Sequence, residues 1–272
     1  MAQEKKGGVV ETLKTVFWAL LIAGVFRTFV FQPFWIPSGS MKDTLLVGDF
    51  LFVNKMAYGY SYASCPSLPF VGIDAKDICG MFDGDNSRFL GSEPKRGDVV
   101  VFRHPVDGSD FIKRVIGLPG DRIRMQAGIV HINGKPAPQI PDGLFREVME
   151  PQGRDRRRPS CSNTPVGTGA TCEKEKYIET LPGGESHSVL NISAGKADNS
   201  SIFVVPAGHY FVMGDNRDNS TDSRFDRSVG GVGMVPYENL VGRADRVILS
   251  SAGRRIMYFW TWRADRFFKA IE

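Results

Sequence analysis

Histidine and closely spaced cysteines are both scarce in this 272-residue sequence. Its four histidines lie far apart along the chain, and its four cysteines form no C-x-x-C motif. Structural zinc sites are built from cysteines and histidines at short, regular spacings. The sequence therefore gives little support for a zinc site, and we expect the protein to use neither a metal nor another cofactor.

A strong excess of one charge sign is also absent. The 34 basic and 30 acidic residues leave a net charge of only +4. The basic run at residues 154–158 is interrupted by Asp155 and lacks the interleaved aromatic residues that nucleic-acid surfaces use. We predict that this run is a solvated loop and that the protein binds no nucleic acid.

Only one long hydrophobic run is present, at residues 9–31. Its uncharged centre, residues 15–26, is shorter than the ~20 apolar residues that a membrane crossing requires. Lys14 and Arg27 can extend the run, because long basic side chains reach toward the membrane interface from within a helix. We interpret the run as a single N-terminal transmembrane helix.

A cleavable signal peptide is the alternative interpretation of this run. Bulky residues, 31–35, follow it at the place where a cleavage site would need small ones. Lys5 and Lys6 precede the run, and basic residues favour the cytoplasmic side of a membrane. We therefore expect an uncleaved anchor in a bacterial inner membrane, with the N-terminus in the cytoplasm and the body in the periplasm.

The four cysteines fall into two local pairs, Cys65 with Cys79 and Cys161 with Cys172. Disulfides are typical of proteins outside the cytoplasm, and one that closes a short loop contributes about 3 kcal/mol. Four cysteines allow three connectivities. We favour the local pairing, which agrees with a periplasmic body.

Short apolar or alternating runs, separated by turn residues, predict a mostly β protein. Asn133-Gly134 is the strongest hairpin signal in the chain. Two polar stretches hold the cysteine pairs: residues 60–95, expected to be a surface excursion, and residues 141–200, expected to be an irregular β insertion or loops. The predicted strands lie in residues 44–54 (with a turn at Gly48-Asp49), 99–102, 111–116, 123–138, 202–205 and 209–213.

Three stretches carry side chains that are candidates for a catalytic or binding role. Residues 36–41, Ile-Pro-Ser-Gly-Ser-Met, predict a turn that presents a serine just after the apolar run. Lys113 lies in a predicted strand, where an isolated lysine is usually a solvent-side residue. Residues 214–224 form the densest polar cluster. Arg217 stands where a calcium loop needs an oxygen, which leaves a plain surface loop or a polar network behind a catalytic group.

Four blocks, in this order, resemble the type I signal peptidases, the membrane-bound proteases that use a serine and a lysine. The blocks are residues 36–41, 48–54, 95–121 and 214–224. The resemblance implies a signal-peptidase-like β catalytic core with an inserted second β region, preceded by one transmembrane helix.

The resemblance implies that Ser40 is the nucleophile and Lys113 the general base. The hydroxyl of Ser38 and the backbone N–H of Ser40 would form the oxyanion hole. A lysine acts as a base only when it is neutral, and the pKa of free lysine is about 10.4. Burial would therefore have to lower the pKa of Lys113 by ~2–3 units.

The resemblance also implies the supporting and substrate-binding residues. Ser220 would orient the lysine, and Asp222 and Arg224 would support that loop. The substrates would be exported preproteins with small-x-small cleavage sites, received at an exposed strand edge. Shallow apolar pockets that admit only small side chains would be lined by Ile36, Pro37, Met41, Leu45, Phe111 and Ile112.

Two positions depart from the family pattern. Asp43 stands where a proline is common, so we expect a looser turn after Ser40. Phe111 stands where a tyrosine is frequent, which changes a pocket wall but not the chemistry. The chain also has one convincing membrane segment, whereas the best-known members have two.

The resemblance leads us to divide the chain into five parts and to expect a monomer. The tail, residues 254–272, is amphipathic, and it either lies at the membrane interface as a helix or docks onto the body. Three other functions are considered: a self-cleaving repressor-type Ser/Lys protease, an inactive anchored scaffold and a calcium-binding module. The five parts are residues 1–32 (cytoplasmic tip and anchor), 33–121 (first part of the catalytic core), 122–205 (inserted β region with a disulfide loop), 206–253 (second part of the core) and 254–272 (tail).

Overall fold

The computed structural model of the protein describes residues 7–64, 88, 90–153, 156–253 and 256–271. Within these residues the chain forms one α-helix, α1 (Gly7–Phe29), and fourteen β-strands, so the protein is mostly β, as predicted. The strands are β1 (Phe31–Trp35), β2 (Asp49–Asn54), β3 (Val99–Arg103), β4 (Asp110–Gly117), β5 (Arg122–Gln126), β6 (Ile129–Ile132), β7 (Lys135–Pro136), β8 (Gln139–Val148), β9 (Thr171–Thr180), β10 (Ser186–Asn191), β11 (Phe203–Val204), β12 (His209–Met213), β13 (Val235–Pro236) and β14 (Leu240–Ser250).

Seven strands form the sheet that carries the candidate site, in the spatial order β1-β2-β14-β3-β4-β12-β13. All neighbouring strands in it are antiparallel. The first four residues of β3 are all buried, which is the environment that a continuous apolar run predicts. Strand β4 is buried from Ile112 onward, so the lysine that it carries is placed inside the protein.

Strands β5–β11 follow β4 in the chain and form two smaller sheets, ordered β10-β9-β8 and β11-β5-β6-β7. The chain then returns to the large sheet, where β12 pairs with β4. Glu147 of β8 pairs with Lys42, and Lys113 of β4 contacts Ser40, in the one segment between β1 and β2. The second β region therefore borders the candidate site.

The predicted hairpin at Asn133-Gly134 is confirmed, because these residues join β6 to β7 and both have positive φ (53° and 81°). Asparagine and glycine tolerate this left-handed conformation better than other residues. A second hairpin, between β5 and β6, turns at Ala127-Gly128 with φ of 49° and 79°. Sequence reasoning missed it, because alanine gives no turn signal.

The apolar core next to the candidate site is one cluster drawn from residues 36–45, from Ala63 and from β2, β3, β4 and β14. Burial of each such side chain contributes roughly 1.5–3 kcal/mol. The segment between β1 and β2 is thereby fixed to the sheet through its apolar side chains. The buried members are Ile36, Met41, Leu45, Leu51, Val53, Ala63, Val99, Val101, Ile112, Val241, Ala244 and Val247.

Two sequence predictions on the body were wrong. Residues 44–48 form turns rather than the first strand of a hairpin, and β2 begins at Asp49. The side chain of Asp49 accepts the backbone N–H of Leu46, which closes this turn. Residues 141–200 include three ordered strands instead of an irregular insertion. Strands β8 and β9 pair over most of their length, and the apolar residues of this sheet alternate too weakly to be recognised in the sequence.

Residues 256–271, the described part of the tail, form no α-helix, so the helical one of the two interpretations is wrong for them. These residues contain two single 3₁₀ turns, Phe259–Thr261 and Ala264–Arg266, and they dock onto the body. The buried guanidinium of Arg266 donates to both carboxylate oxygens of Asp49, at 3.1 and 2.6 Å. A buried ion pair of this kind requires its partner to be in place, so the tail is an integral part of the fold.

The predicted pairing of Cys161 with Cys172 is confirmed as a disulfide. Cys65 and Cys79, for which we predicted the other disulfide, lie outside the described residues, as does most of the 60–95 excursion.

In the part of the chain that the structure describes, no helix combines the length and the apolar character that a membrane crossing requires.

Candidate active site

Ser40 lies in the turn between β1 and β2, and its side chain is 8% exposed. The turn is fixed at its base, because Ile36 donates its N–H to Asp49 O at 2.9 Å. Asn216 holds the turn from the neighbouring loop. It donates its backbone N–H to Ser40 O at 3.0 Å and its side-chain Nδ2 to Gly39 O at 2.9 Å. The backbone around Ser40 is therefore fixed by partners from two other parts of the chain.

Lys113, on β4, reaches the same turn. Its Nζ donates to Ser40 Oγ at 2.7 Å and to the carbonyl of Ile112 at 2.9 Å. Nζ also lies 5.5 Å from the centre of the Phe111 ring. The predicted serine and lysine, 73 positions apart in sequence, are thus brought into hydrogen-bond contact.

Burial dominates the electrostatics of Lys113, whose side chain is almost inaccessible to water. Desolvation lowers the pKa of Lys113 to about 8. The carboxylates of Asp222 and Asp215 raise this pKa and the guanidinium of Arg224 lowers it, but both effects are smaller than that of burial. A substantial fraction of Lys113 is consequently neutral near pH 8, as a general base requires.

Ser38 lies at the exposed side of the turn. Its hydroxyl is 3.5 Å from Ser40 Oγ, at the limit of a hydrogen bond. This position is compatible with the oxyanion-hole role that the resemblance implied.

The 214–224 loop supplies a buried ionic network. Arg224 donates Nε and Nη2 to the two oxygens of Asp222, each at 2.9 Å. The Ser220 hydroxyl donates to Asp222 Oδ2 at 2.8 Å, whereas the bonds of Lys113 Nζ go to Ser40 and Ile112. The expected direct bond from Ser220 to the lysine is therefore replaced by one to the carboxylate. Such a network fixes the loop, because a buried carboxylate needs all its partners.

Gly214 allows this loop to approach the turn. A Cβ at this position would lie 2.3 Å from Ser220 Oγ and 2.6 Å from the carbonyl oxygen of Ser40. These distances are shorter than any ordinary contact. The glycine thus lets the loop backbone pack directly against the residue that carries the hydroxyl.

The six predicted substrate-binding residues do not share one environment. Ile36, Met41, Leu45 and Ile112 are buried together in the core cluster beneath the turn. Phe111 is half-buried and packs in a different cluster, with its ring 4.9 Å from that of His104. Pro37 is exposed. Four of these side chains thus form a floor below the turn.

A second buried ion pair near the site was missed by sequence reasoning. Arg114 donates Nε and Nη2 to the two oxygens of Asp215, at 2.9 and 2.8 Å, and Thr44 Oγ1 donates to the same carboxylate at 2.6 Å. Arg114 directly follows Lys113, and Asp215 lies in the polar loop. Both residues lie inside the blocks that resemble the family. They are 101 positions apart, so nothing in the sequence indicated that they form a pair.

Glu179, on β9, forms a third buried pair, with Arg217. His187, on β10, lies between this carboxylate and Asp215, with Nε2 at 3.5 Å and 3.9 Å from their oxygens. Burial lowers the pKa of His187 to about 4.

The carboxylates of the 214–224 loop are bonded to arginines, hydroxyls and backbone N–H groups of the protein. This arrangement is unlike a calcium loop, in which carboxylate oxygens point at the ion.

Comparison with known proteins gives the chain's relationships. A family model described as signal peptidase, peptidase S26, matches residues 9–249. Signal peptidase I of Rickettsia canadensis (strain McKiel) is 35% identical over 249 residues, which are 88% of this chain and 79% of that protein. Signal peptidase I of Rickettsia typhi (strain ATCC VR-144 / Wilmington) is 36% identical over 256 residues, which are 89% of this chain and 82% of that protein. A crystal structure of a signal peptidase I from Enterococcus faecalis V583 is 23% identical, with a TM-score of 0.29, over 56% of this chain and 97% of the solved one.

These matches define the chain first as a serine endopeptidase. More narrowly, it belongs to the signal peptidase family, peptidase S26.

Proposed function

We propose that the protein removes N-terminal signal peptides from exported preproteins, with Ser40 as the nucleophile and Lys113 as the general base. The contact of 2.7 Å between Lys113 Nζ and Ser40 Oγ carries this proposal. It joins a hydroxyl to a lysine whose pKa burial lowers to about 8. Relatives named signal peptidase I, matched over most of their length, support the assignment of the substrate class.

The reaction follows from this geometry. Neutral Lys113 accepts the proton of Ser40 Oγ as the hydroxyl oxygen attacks the scissile carbonyl. The negative charge that develops on the carbonyl oxygen is stabilised by the backbone N–H of Ser40 and the hydroxyl of Ser38. The lysine then gives its proton to the leaving amine, which releases the mature protein. Water, activated by the same lysine, hydrolyses the acyl-enzyme and frees the signal peptide.

Ser220, Asp222 and Arg224 would act by holding the loop that supports Ser40. The Ser220 hydroxyl is bonded to Asp222, and Asp222 accepts the backbone N–H of Gly214 at 3.0 Å. Gly214 is in turn close to the Ser40 carbonyl. We therefore propose that these three residues hold the serine turn in place. The charges of Asp222 and Arg224 also act on the pKa of Lys113.

The preference for small residues would come from the shallow surface above the turn. Met41 and Leu45 are both fully buried and so fill the space below it. Side chains that already occupy a pocket exclude large substrate residues by overlap. We propose that the exposed Pro37 and the half-buried Phe111 form the walls that an extended small-x-small segment contacts. The buried side chains of Ile36, Met41, Leu45 and Ile112 lie beneath these walls as the floor.

We further propose that α1 anchors the protein as a single pass, although it falls short of the apolar character of an ordinary membrane crossing. In this proposal the long side chain of Lys14 reaches toward the membrane interface, and the body is kept at the outer face of a bacterial inner membrane, where it acts as a monomer. Large apolar side chains along α1 are exposed, among them Phe17 at 60%, Leu20 at 69% and Ile22 at 63%. The tail adds exposed Phe259 and Trp260, at 67% and 69%. Exposed large apolar side chains in such numbers mark a membrane or protein contact. Retention of the protein in membranes after carbonate washing would support the anchor, and complete release would exclude it.

The test of the activity is cleavage of a purified preprotein with an Ala-x-Ala site, in detergent. Wild type is expected to cut after the second alanine of the site, and Ser40→Ala and Lys113→Ala are expected to be inactive while their circular dichroism spectra remain those of wild type. An active Lys113→Ala variant would show that another base is used. A wild type that cleaves none of several preproteins would favour the scaffold alternative.

A further inference from the structure

Lys42, two residues after Ser40, is buried, with only 4% exposure. Its Nζ forms an ion pair with Glu147 and donates to Gln152 Oε1 at 2.7 Å. Gln152 in turn donates Nε2 to the carboxylate of Glu147 at 2.7 Å. Glu147 lies on β8, so this polar cluster links the serine turn to the smaller sheet β8–β10.

A second lysine completes the cluster. Lys174, on β9, is fully buried and contacts the other carboxylate oxygen of Glu147. Glu147 is therefore shared by one lysine from the turn and one from the sheet. A carboxylate enclosed by two ammonium groups is well compensated for its burial, and this arrangement holds all three side chains in place.

The aliphatic part of Lys42 also lies beside Gly39, the residue before Ser40. A Cβ built on Gly39 would lie 3.2 Å from Lys42 Cε, so the lysine side chain covers this glycine. The carbonyl of Gly39 is the group that accepts the side-chain N–H of Asn216. Lys42 therefore packs on a peptide that the 214–224 loop also holds.

Asp43 makes a second connection to the same sheet. Its carboxylate pairs with Lys176 of β9 at 3.0 Å and accepts from Ser188 of β10 at 3.4 Å. The turn after Ser40 is consequently tied to the sheet at two successive residues. The looser turn expected from an aspartate at this position is offset by these contacts.

We propose that the β8–β10 sheet holds the Ser40 turn in its reactive conformation through Lys42 and Glu147, and that Lys42 is a positioning residue for the reaction. The proposal rests on the assignment of Ser40 and Lys113 given above. Catalysis is sensitive to such positioning, since a displacement of about 1 Å can cost about 100-fold in rate. The contact between Ser40 and Lys113 depends on the turn staying where Lys42 and Asn216 hold it.

Lys42→Met is the most informative variant, because Lys174 remains to neutralise Glu147 and no buried charge is left unpaired. We expect its kcat on the preprotein to fall at least tenfold, with KM within twofold of wild type and the fraction of folded protein unchanged. Arg146→Gln is the matched control. Arg146 lies on β8 next to Glu147, but its ion pair, with Glu173, is exposed and does not involve the serine turn. The control should keep wild-type kcat. A Lys42→Met kcat within twofold of wild type would overturn the proposal.

Hydrogen exchange provides a readout that does not depend on activity. Amides in residues 38–45 should exchange at least tenfold faster in Lys42→Met than in wild type or Arg146→Gln, while those of β3 and β4 stay unchanged. Unchanged exchange in residues 38–45 would refute the positioning role, whatever the activity of wild type. An active Ser40→Ala variant would instead refute the assignment of the nucleophile, so the two failures can be told apart.

Discussion

The burial of Lys113 makes a quantitative prediction about pH. Because its pKa is lowered to about 8, about one-tenth of the lysine is neutral at pH 7 and half of it at pH 8. The base must be neutral to accept the proton of Ser40, so kcat/KM should rise tenfold per unit below pH 8 and level off above it. A surface variant, Lys196→Met, should have the same profile as wild type.

The same shift predicts how stability depends on pH. Lys113 binds its proton more weakly in the folded protein than in the unfolded chain, so between pH 8 and the usual lysine pKa of 10.5 the unfolded state holds more protons. The free energy of unfolding should therefore rise with pH in this window, by about 1.4 kcal/mol per unit and about 3 kcal/mol in total. Below pH 8 both states are protonated, and this pH dependence is absent.

Denaturant unfolding of wild type and Lys113→Met at pH 7, 8, 9 and 10 measures this effect directly. The difference in unfolding free energy between the two proteins should move in favour of wild type as pH rises above 8, because only wild type carries the buried lysine. Peptide-cleavage rates measured over the same pH range complete the test. A difference that stays constant from pH 7 to 10, or a rate profile with its midpoint near 10.5, would refute the argument that burial tunes this lysine.

Two other substitutions test the geometry around the serine. Ser38→Ala removes the proposed oxyanion donor, and we expect kcat to fall about 100-fold with the pH midpoint unchanged; a loss below threefold in steady-state kinetics would remove Ser38 from the oxyanion hole. Gly214→Ala would place a methyl group 2.3 Å from Ser220 Oγ and 2.6 Å from Ser40 O. We expect it to lower kcat more than tenfold and the free energy of unfolding by roughly 1–3 kcal/mol, as measured by denaturant titration. Gly167→Ala is the control, because a Cβ at Gly167 meets no atom within 4 Å; it should leave kcat and the free energy of unfolding unchanged. Gly208→Ala is less suitable as a control, because Gly208 has a φ of 68°.

The sequence by itself determined the class of the fold, and its resemblance to a known family pointed to Ser40 and Lys113 as the candidate catalytic residues. The mostly β character followed from short apolar runs, and the Asn133-Gly134 turn followed from the left-handed conformation that few residues accept. Local pairing correctly linked Cys161 with Cys172. Ser40 and Lys113 were singled out because the blocks that hold them resemble, in order, those of a known protease family, and the structure brings these two residues into contact.

Only the tertiary structure decided the environment of these residues. Whether Lys113 was a solvent-side or a buried lysine depended on its surroundings in the folded chain. Strand β3, the preceding strand, pairs with one edge of β4, and β12 and the 214–224 loop reach it from a distant part of the chain. The partners of Arg114, Lys42 and Arg266 lie 101, 105 and 217 positions away. Long-range ionic pairs leave no periodic pattern in the sequence, because each member is locally an ordinary charged residue. Their pairing is imposed by the arrangement of the sheets, and it was therefore visible only once the chain was folded.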